Sequence, residues 1–145
     1  VVDIFRFDDV VVVESFPAKI VCEAIKHGFK TPGMGAWPHV GGLDVEVTRR
    51  AAGNEAAVKG FRRKPGVTCA NETPIKVAAA PYLLCSNDGY KFLPGSKTCI
   101  ADLANRSRAE GRKLLSDIAE AAIRAAGNAG INPAKDGRVQ FIDAK

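Results

Sequence analysis

The segment from Ser107 to Gly130 has the strongest helical pattern in the chain, and it limits the folds that the chain can adopt. Ser107 and Glu110 have the S-x-x-E spacing of a capping box, in which both side chains accept hydrogen bonds from backbone N–H groups at a helix start. Gly127 suits the left-handed residue that ends a helix. Apolar residues recur between them at helical spacing, at Leu114, Leu115, Ile118, Ala122 and Ala125. We therefore predict one long helix whose alanine-rich face packs closely against a sheet.

The first half of the chain predicts a strand, a helix and a second strand. The β-branched run from Val10 to Val13 is typical of a central strand that is buried on both faces. Pro17 suits the first turn of a helix with Ser15 as its N-cap, and the apolar face of this helix comprises Ile20, Val21, Ala24 and Ile25. Apolar and polar residues then alternate from Leu43 to Thr48, which predicts a half-buried strand.

The patterns after this strand are less regular. Residues 51–66 predict an exposed basic loop, with a helical turn or a hairpin tip as the alternative. The run from Ile75 to Leu84 predicts a strand, and we place it at a sheet edge because Pro81 cannot donate to a neighbouring strand. Val139 to Ile142 predicts a closing strand.

These elements follow one another in the order β, α, β, β, α, β, which predicts the α+β class. We expect a small antiparallel or mixed sheet with two helices on one face, and the order matches that of a ferredoxin-like split βαβ fold. A chain of 145 residues is long enough for one core, and no linker divides it. We therefore expect residues 1–145 to form a single globular domain.

Four cysteines give the chain an even number of thiols. No C-x-x-C motif occurs, which excludes the usual spacing of redox and zinc-ribbon sites. Turn sequences at residues 86–89 and 93–96 fold the segment between Cys85 and Cys99 back on itself, so we predict a disulfide between these two residues. Cys22 lies in the first predicted helix, where it is either a buried free thiol or the partner of Cys69.

The segment from Cys85 to Ile100, with C-S-x-x-G followed by P-G-S-x-T-C-I, resembles the cysteine loop of some outer-membrane porins of alphaproteobacteria. The resemblance is confined to this loop, and it implies an origin outside the cytosol without implying a pore. The even number of cysteines favours the same compartment. We expect a secreted, periplasmic or particle-associated protein, with a cytoplasmic protein as the alternative, and we expect Val1 to be a processed or a trimmed terminus.

Composition is that of an ordinary globular domain, with 46% apolar and 26% charged residues. The longest nearly uncharged apolar run, Val77 to Cys85, is far shorter than a membrane-spanning helix and contains Pro81, so we predict no membrane span. The net charge of +5 is unevenly distributed, because residues 1–16 are acidic and residues 46–64 are basic. Such a chain can attract an anionic partner or associate with copies of itself.

The sequence contains no recognisable catalytic, metal or cofactor motif. Cys22 and His27 are five residues apart on a predicted helix, so their side chains point in different directions. The segment from Gly33 to Pro38 lacks the last glycine of G-x-G-x-x-G, and no P-loop, G-x-S-x-G or H-E-x-x-H occurs. We therefore predict no catalytic residue, no metal and no cofactor. A non-enzymatic protein is favoured over a small enzyme with its site near Trp37 and His39.

Two functions are consistent with these observations. The favoured one is an extracytoplasmic binding or assembly subunit, stabilised by disulfides, whose partner is another protein or a second copy. Its interaction surfaces are expected in loops 31–42 and 85–99, which carry Trp37, His39, Tyr90 and Phe92. The alternative is a cytosolic module that binds an anion or a nucleic acid on a basic face comprising Arg62, Arg63, Lys64, Arg108, Arg112 and Lys113.

Overall fold

A computed structural model describes residues 9–30, 32–33, 35–129 and 136–144 of the chain. Strands and α-helices both occur in these residues, which confirms the predicted α+β class. In this part of the chain no helix is long and apolar enough to cross a membrane. The elements, in chain order, are β1 (Val12–Pro17), α1 (Ala18–Phe29), β2 (Leu43–Arg49), β3 (Glu55–Phe61), β4 (Pro74–Ala79), α2 (Pro81–Leu84), α3 (Cys99–Ala109), α4 (Leu115–Ala126) and β5 (Val139–Asp143).

The strands form two small sheets rather than the single sheet of a ferredoxin-like order. β1 and β4 form an antiparallel pair, whereas β2 lies between an antiparallel β3 and a parallel β5. The pairing of β1 with β4 ends where Pro17 faces Pro74, and neither residue has an N–H group to continue the ladder. The strand that we predicted as central over Val10–Val13 instead runs from Val12 to Pro17 and lies in the smaller sheet, paired with β4.

Helix α1 connects the two sheets and supplies much of the hydrophobic core. It contacts β3 of the larger sheet and both strands of the smaller sheet. The helix begins directly after Pro17, and this residue rather than Ser15 is its N-cap. Its buried residues recur at helical spacing and form one continuous face, which comprises Ala18, Val21, Cys22, Ala24, Ile25, Gly28 and Phe29.

The segment Ser107–Gly130, which we predicted as one long helix, contains the last turn of α3 and all of α4. Gly130 lies outside the described part of the chain. Gly111 has a φ of +71°, a left-handed conformation that favours glycine and follows the end of α3. Ser107 lies in the last turn of α3, where its buried hydroxyl donates to Val11 O over 2.9 Å. The capping-box prediction is therefore wrong, because this serine makes a tertiary hydrogen bond instead.

The middle of the chain also differs from the prediction. The basic loop expected over residues 51–66 contains β3, which pairs with β2 through Glu55–Phe61. The strand expected over Ile75–Leu84 ends at Ala79, and Pro81 begins α2. A proline is tolerated there because the first N–H groups of a helix have no partner within it.

Candidate binding site

Two disulfides tie helices to other parts of the chain. Cys22 of α1 pairs with Cys69, and Cys85 pairs with Cys99 at the start of α3, with Cα–Cα distances of 5.7 and 5.8 Å. The predicted bridge between Cys85 and Cys99 is confirmed. The question left open for Cys22 is decided in favour of Cys69 and against a free thiol. The first bridge attaches α1 to the segment after β3, and the second closes the predicted interaction loop 85–99.

The two predicted interaction loops meet at the C-terminal end of α1, although residues 31 and 34 of the first loop lie outside the described residues. The Tyr90 hydroxyl donates to Ala36 O and so joins the second loop to the first. His27 Nε2 donates to Asp88 O over 2.7 Å and joins the second loop to α1. Gly28 lets the second loop approach α1 closely, because a Cβ at this position would overlap the Tyr90 hydroxyl. The two loops are therefore in contact with each other, and the second loop is also in contact with the end of α1.

Tyr90 and Phe92 pack within the second loop. Tyr90 is only 4% exposed, and burial, followed by the negative charge of Asp88, raises the pKa of its phenol. The half-buried Phe92 ring lies nearly parallel to the Tyr90 ring. Phe92 also contacts Phe16 of β1, with 4.9 Å between the Phe92 and Phe16 ring centroids. The Tyr90 side chain is therefore buried within the second loop, whereas Phe92 is partly exposed.

Trp37 and His39 line an open cleft of about 380 Å³ between the first loop and β5. The Trp37 ring meets Phe29 of α1 edge to face, with 5.0 Å between centroids. It is nearly parallel to Phe141 of β5, with 6.1 Å between centroids and 7° between planes. A helix, a loop and a strand thus each supply one aromatic ring to the cleft. Sequence reasoning singled out Trp37 and His39 but missed Phe29 and Phe141.

Two arginines border this aromatic cleft. The Arg49 guanidinium lies over the Phe141 ring, 5.1 Å from its centroid, and Nη1 donates to Asp143 Oδ1 over 3.4 Å. Arg138 donates through Nη1 to Val40 O over 3.3 Å and so joins the first loop to the start of β5. Arg138 also pairs with Asp136, so the cleft has an apolar interior and a border of two ion pairs within the protein.

Strand β5 is an edge of the larger sheet and lies beside the cleft. Its parallel pairing with β2 places Val139 and Phe141 on the face that Val45 and Val47 turn to the core. Residues 140–143 are exposed. On its other side β5 pairs with no strand of the described chain, so among these residues it is an edge strand.

Arg62, the first of the predicted anion-binding residues, is held between two carboxylates. Its Nε donates to Asp44 Oδ1 over 2.7 Å, and its Nη1 donates to Asp136 Oδ2 over 2.8 Å. Because Asp44 belongs to β2 and Asp136 precedes β5, this arginine connects the β2–β3 hairpin to the last strand. Its charge is therefore balanced within the protein.

The remaining predicted anion-binding residues lie in two parts of the chain. Arg63 and Lys64 follow β3, and Lys64 Nζ donates to Pro74 O over 2.8 Å. Arg112 Nε donates to Glu110 Oε2 over 3.0 Å. The residues of the second part are at or after the end of α3 and comprise Arg108, Arg112 and Lys113.

Replacing Asp136 by asparagine is expected to remove an acid-sensitive part of the stability. The pKa of Asp136 lies well below its ordinary 3.8, first because Arg138 Nε donates to the carboxylate over 2.8 Å, and further because of the Arg62 charge. A carboxyl with a lowered pKa stabilises the fold fully above its unfolded pKa and loses this contribution as the pH falls below it. The urea midpoints of wild type and Asp136→Asn should therefore differ most at about pH 6 and converge towards about pH 2. A difference independent of pH would contradict this assignment.

In the part of the chain that the structure describes, no group of three or more His, Cys, Asp and Glu side chains could hold a metal ion. The described residues form an aromatic cleft lined by the edge strand β5, on a scaffold with two disulfides. No protein-family model matches the chain, and no curated protein matches it either.

Proposed function

We propose that the chain is a non-enzymatic, disulfide-stabilised binding domain that acts outside the cytosol and holds an extended segment of a partner protein along β5. The observation that carries this proposal is that Val139 and Phe141 of β5 line the aromatic cleft, while the other side of β5 pairs with no strand of the described chain. Backbone hydrogen bonds to an edge strand provide affinity, and pockets beside that strand select the side chains.

The geometry of β5 favours a partner segment with alternating apolar residues. Phe141 lies on the cleft face of the strand, whereas Gln140 and Ile142 lie on the opposite face. A strand added to β5 therefore points every second side chain toward the cleft, where an aromatic or aliphatic residue can pack on the Trp37 ring.

The two disulfides support a place of action outside the cytosol. Cytosolic thiols are kept reduced, and disulfides persist mainly in secreted, periplasmic and surface proteins. All four cysteines of the chain are paired. The alternative function, a cytosolic module that binds anions or nucleic acid, has less support, because Arg62, Lys64 and Arg112 each donate to acceptors of their own chain.

The proposal is tested by selecting random peptides displayed on phage against the immobilised, oxidised protein. Peptides with apolar residues at alternate positions are expected to be enriched. Trp37 is the only tryptophan, so its fluorescence reports directly on the cleft, and binding should shift its emission to shorter wavelength. Phe141→Ala should weaken binding at least about tenfold, which corresponds to about 1.4 kcal/mol.

Tyr82→Ala is the matched control for this experiment. Tyr82 and Phe141 are both exposed aromatic residues, at 44% and 41%, but Tyr82 lies in α2 and does not line the cleft. The control should bind the selected peptides as wild type does. Selection of no alternating peptide, or equal losses in both variants, would contradict the proposal.

A further inference from the structure

Asp-Gly pairs occur at two places in the chain, Asp88-Gly89 and Asp136-Gly137, and all four residues are exposed. Such a pair can rearrange without an enzyme, because glycine has no side chain that shields its backbone nitrogen from the aspartate carboxyl group. The two pairs therefore have the same intrinsic chemistry, and the surrounding structure decides how far their reactivities differ.

The rearrangement consumes no reactant other than water. The glycine nitrogen attacks the aspartate Cγ, and one water molecule leaves, which closes a five-membered succinimide ring. Water then adds to one of the two ring carbonyl groups. Addition at the original backbone carbonyl breaks its bond to the nitrogen and leaves isoaspartate, in which Cγ carries the chain and the former backbone carbonyl is a free carboxylate. Ring closure needs the protonated carboxyl group, because a carboxylate is a poor electrophile.

Asp136 is held as an ionised carboxylate. It accepts from Arg138 Nε over 2.8 Å, from the Arg138 backbone N–H over 3.2 Å and from Arg62 Nη1 over 2.8 Å. The hydrogen bond from the Arg138 side chain, followed by the charges of the two arginines, lowers the pKa of Asp136. Attack by the Gly137 nitrogen therefore requires that several hydrogen bonds break and that the carboxylate gains a proton.

Asp88 is less restrained. In the part of the chain that the structure describes, its carboxylate accepts one side-chain hydrogen bond, from the Tyr82 hydroxyl over 3.2 Å. The backbone of Asp88 has a φ of +53°, and that of Gly89 has a φ of +80°. The left-handed region is unfavourable for a residue with a Cβ, and the additional backbone methylene of isoaspartate relieves this conformation. Both features favour reaction at this pair.

We propose that Asp88-Gly89 is a site of spontaneous isoaspartate formation in the folded protein, whereas the ion pairs of Asp136 protect Asp136-Gly137. The contrast between one hydroxyl donor at Asp88 and two arginine side chains at Asp136 carries this proposal. It does not depend on the proposed function.

The modification changes the contact between loop 85–99 and α1. His27 Nε2 donates to Asp88 O over 2.7 Å, and this oxygen becomes part of the new carboxylate. The chain also gains one methylene group directly before Gly89, one residue before the tyrosine whose hydroxyl donates to Ala36 O. Isoaspartate at residue 88 therefore alters the two contacts that join loop 85–99 to α1 and to loop 31–42.

Storage of the folded, oxidised protein at mildly acidic pH, followed by peptide mapping, tests the proposal. The product has the same mass, so the two linkages are distinguished by electron-transfer fragmentation. Isoaspartate should form at residue 88 at least about ten times faster than at residue 136. Protein unfolded in guanidinium chloride is the reference, and there both pairs should react at similar rates. In the folded protein, absence of reaction at Asp88, or equal or faster reaction at Asp136, overturns the proposal.

Two variants test the reasons for the difference. Asp88→Glu keeps the charge but requires a six-membered ring, which closes slowly, so the modification at this position should be lost. Arg138→Ala removes the side-chain donor that contributes most to the lowered pKa of Asp136, and it should speed the reaction at Asp136 at least about tenfold. If Asp136 stays as unreactive in Arg138→Ala as in wild type, the ion pairs do not protect it and the proposal is wrong.

Discussion

Removal of the Cys22–Cys69 disulfide is expected to lower the free energy of unfolding by about 4 kcal/mol in the chain-entropy model. The bridge joins residues 47 positions apart, so reduction frees a long loop in the unfolded chain. Cys22 is also fully buried in α1, and the bridge is the covalent link between that helix and the segment after β3. A loss of this size is a large fraction of the about 5–15 kcal/mol that stabilises a typical domain.

The Cys85–Cys99 disulfide provides the internal comparison. It joins residues only 14 positions apart, and the same model gives it about 3 kcal/mol. Urea unfolding of Cys22→Ala/Cys69→Ala and of Cys85→Ala/Cys99→Ala therefore should give a lower midpoint for the first double variant. Protein purified without reductant and then unfolded should contain no titratable thiol. Four titratable thiols, or a larger loss from the shorter bridge, would contradict this account.

Elements that depend on local patterns could be predicted from the sequence. The alternation from Leu43 to Val47 gave β2 its buried face, and Pro17 marked the start of α1. The turns between Cys85 and Cys99 likewise predicted the bridge that the structure contains. In each case the signal lies within a few residues of the element that it specifies.

Elements that depend on distant partners could not be predicted in this way. Ser107 donates to Val11 O across 96 residues of sequence, and no local pattern distinguishes this contact from a capping box. The segment of β3 contains small residues and a glycine, and it becomes a strand because β2 offers an edge to pair with. Contacts with residues distant in the sequence therefore determine both the hydrogen bond of Ser107 and the strand conformation of β3.

The residues of the candidate site likewise divide into those with a local sequence signal and those that depend on distant partners. Trp37 and His39 stood out because a loop rich in Gly and Pro carries them. The sequence did not single out Phe29, which follows the predicted end of the first helix, or Phe141, which is one apolar residue of the predicted closing strand. Their convergence requires the parallel pairing of β5 with β2, which brings together residues more than 90 positions apart. An aromatic residue within the predicted closing strand over Val139–Ile142 is the signal that could have indicated Phe141.

Replacing Phe29 by alanine is expected to lower the free energy of unfolding by about 3–5 kcal/mol. Phe29 is only 1% exposed in the last turn of α1, and its ring contacts both Trp37 and Phe141, with 5.0 and 6.4 Å between centroids. Its removal leaves a cavity under the cleft. Trp37 then loses its edge-to-face contact, so the emission of the folded variant should move to longer wavelength.

Phe61→Ala distinguishes loss of stability from loss of the cleft. Phe61 is also buried, at 5% exposure, but it lies at the end of β3 and does not line the cleft. It should cost a similar free energy in urea unfolding while the emission of the folded protein stays unchanged. Equal emission shifts in both variants would mean that Trp37 reports general loosening of the core, and Phe29 would then have no specific role in supporting the aromatic wall. A shift confined to Phe29→Ala would tie the stability of α1 directly to the shape of the binding surface.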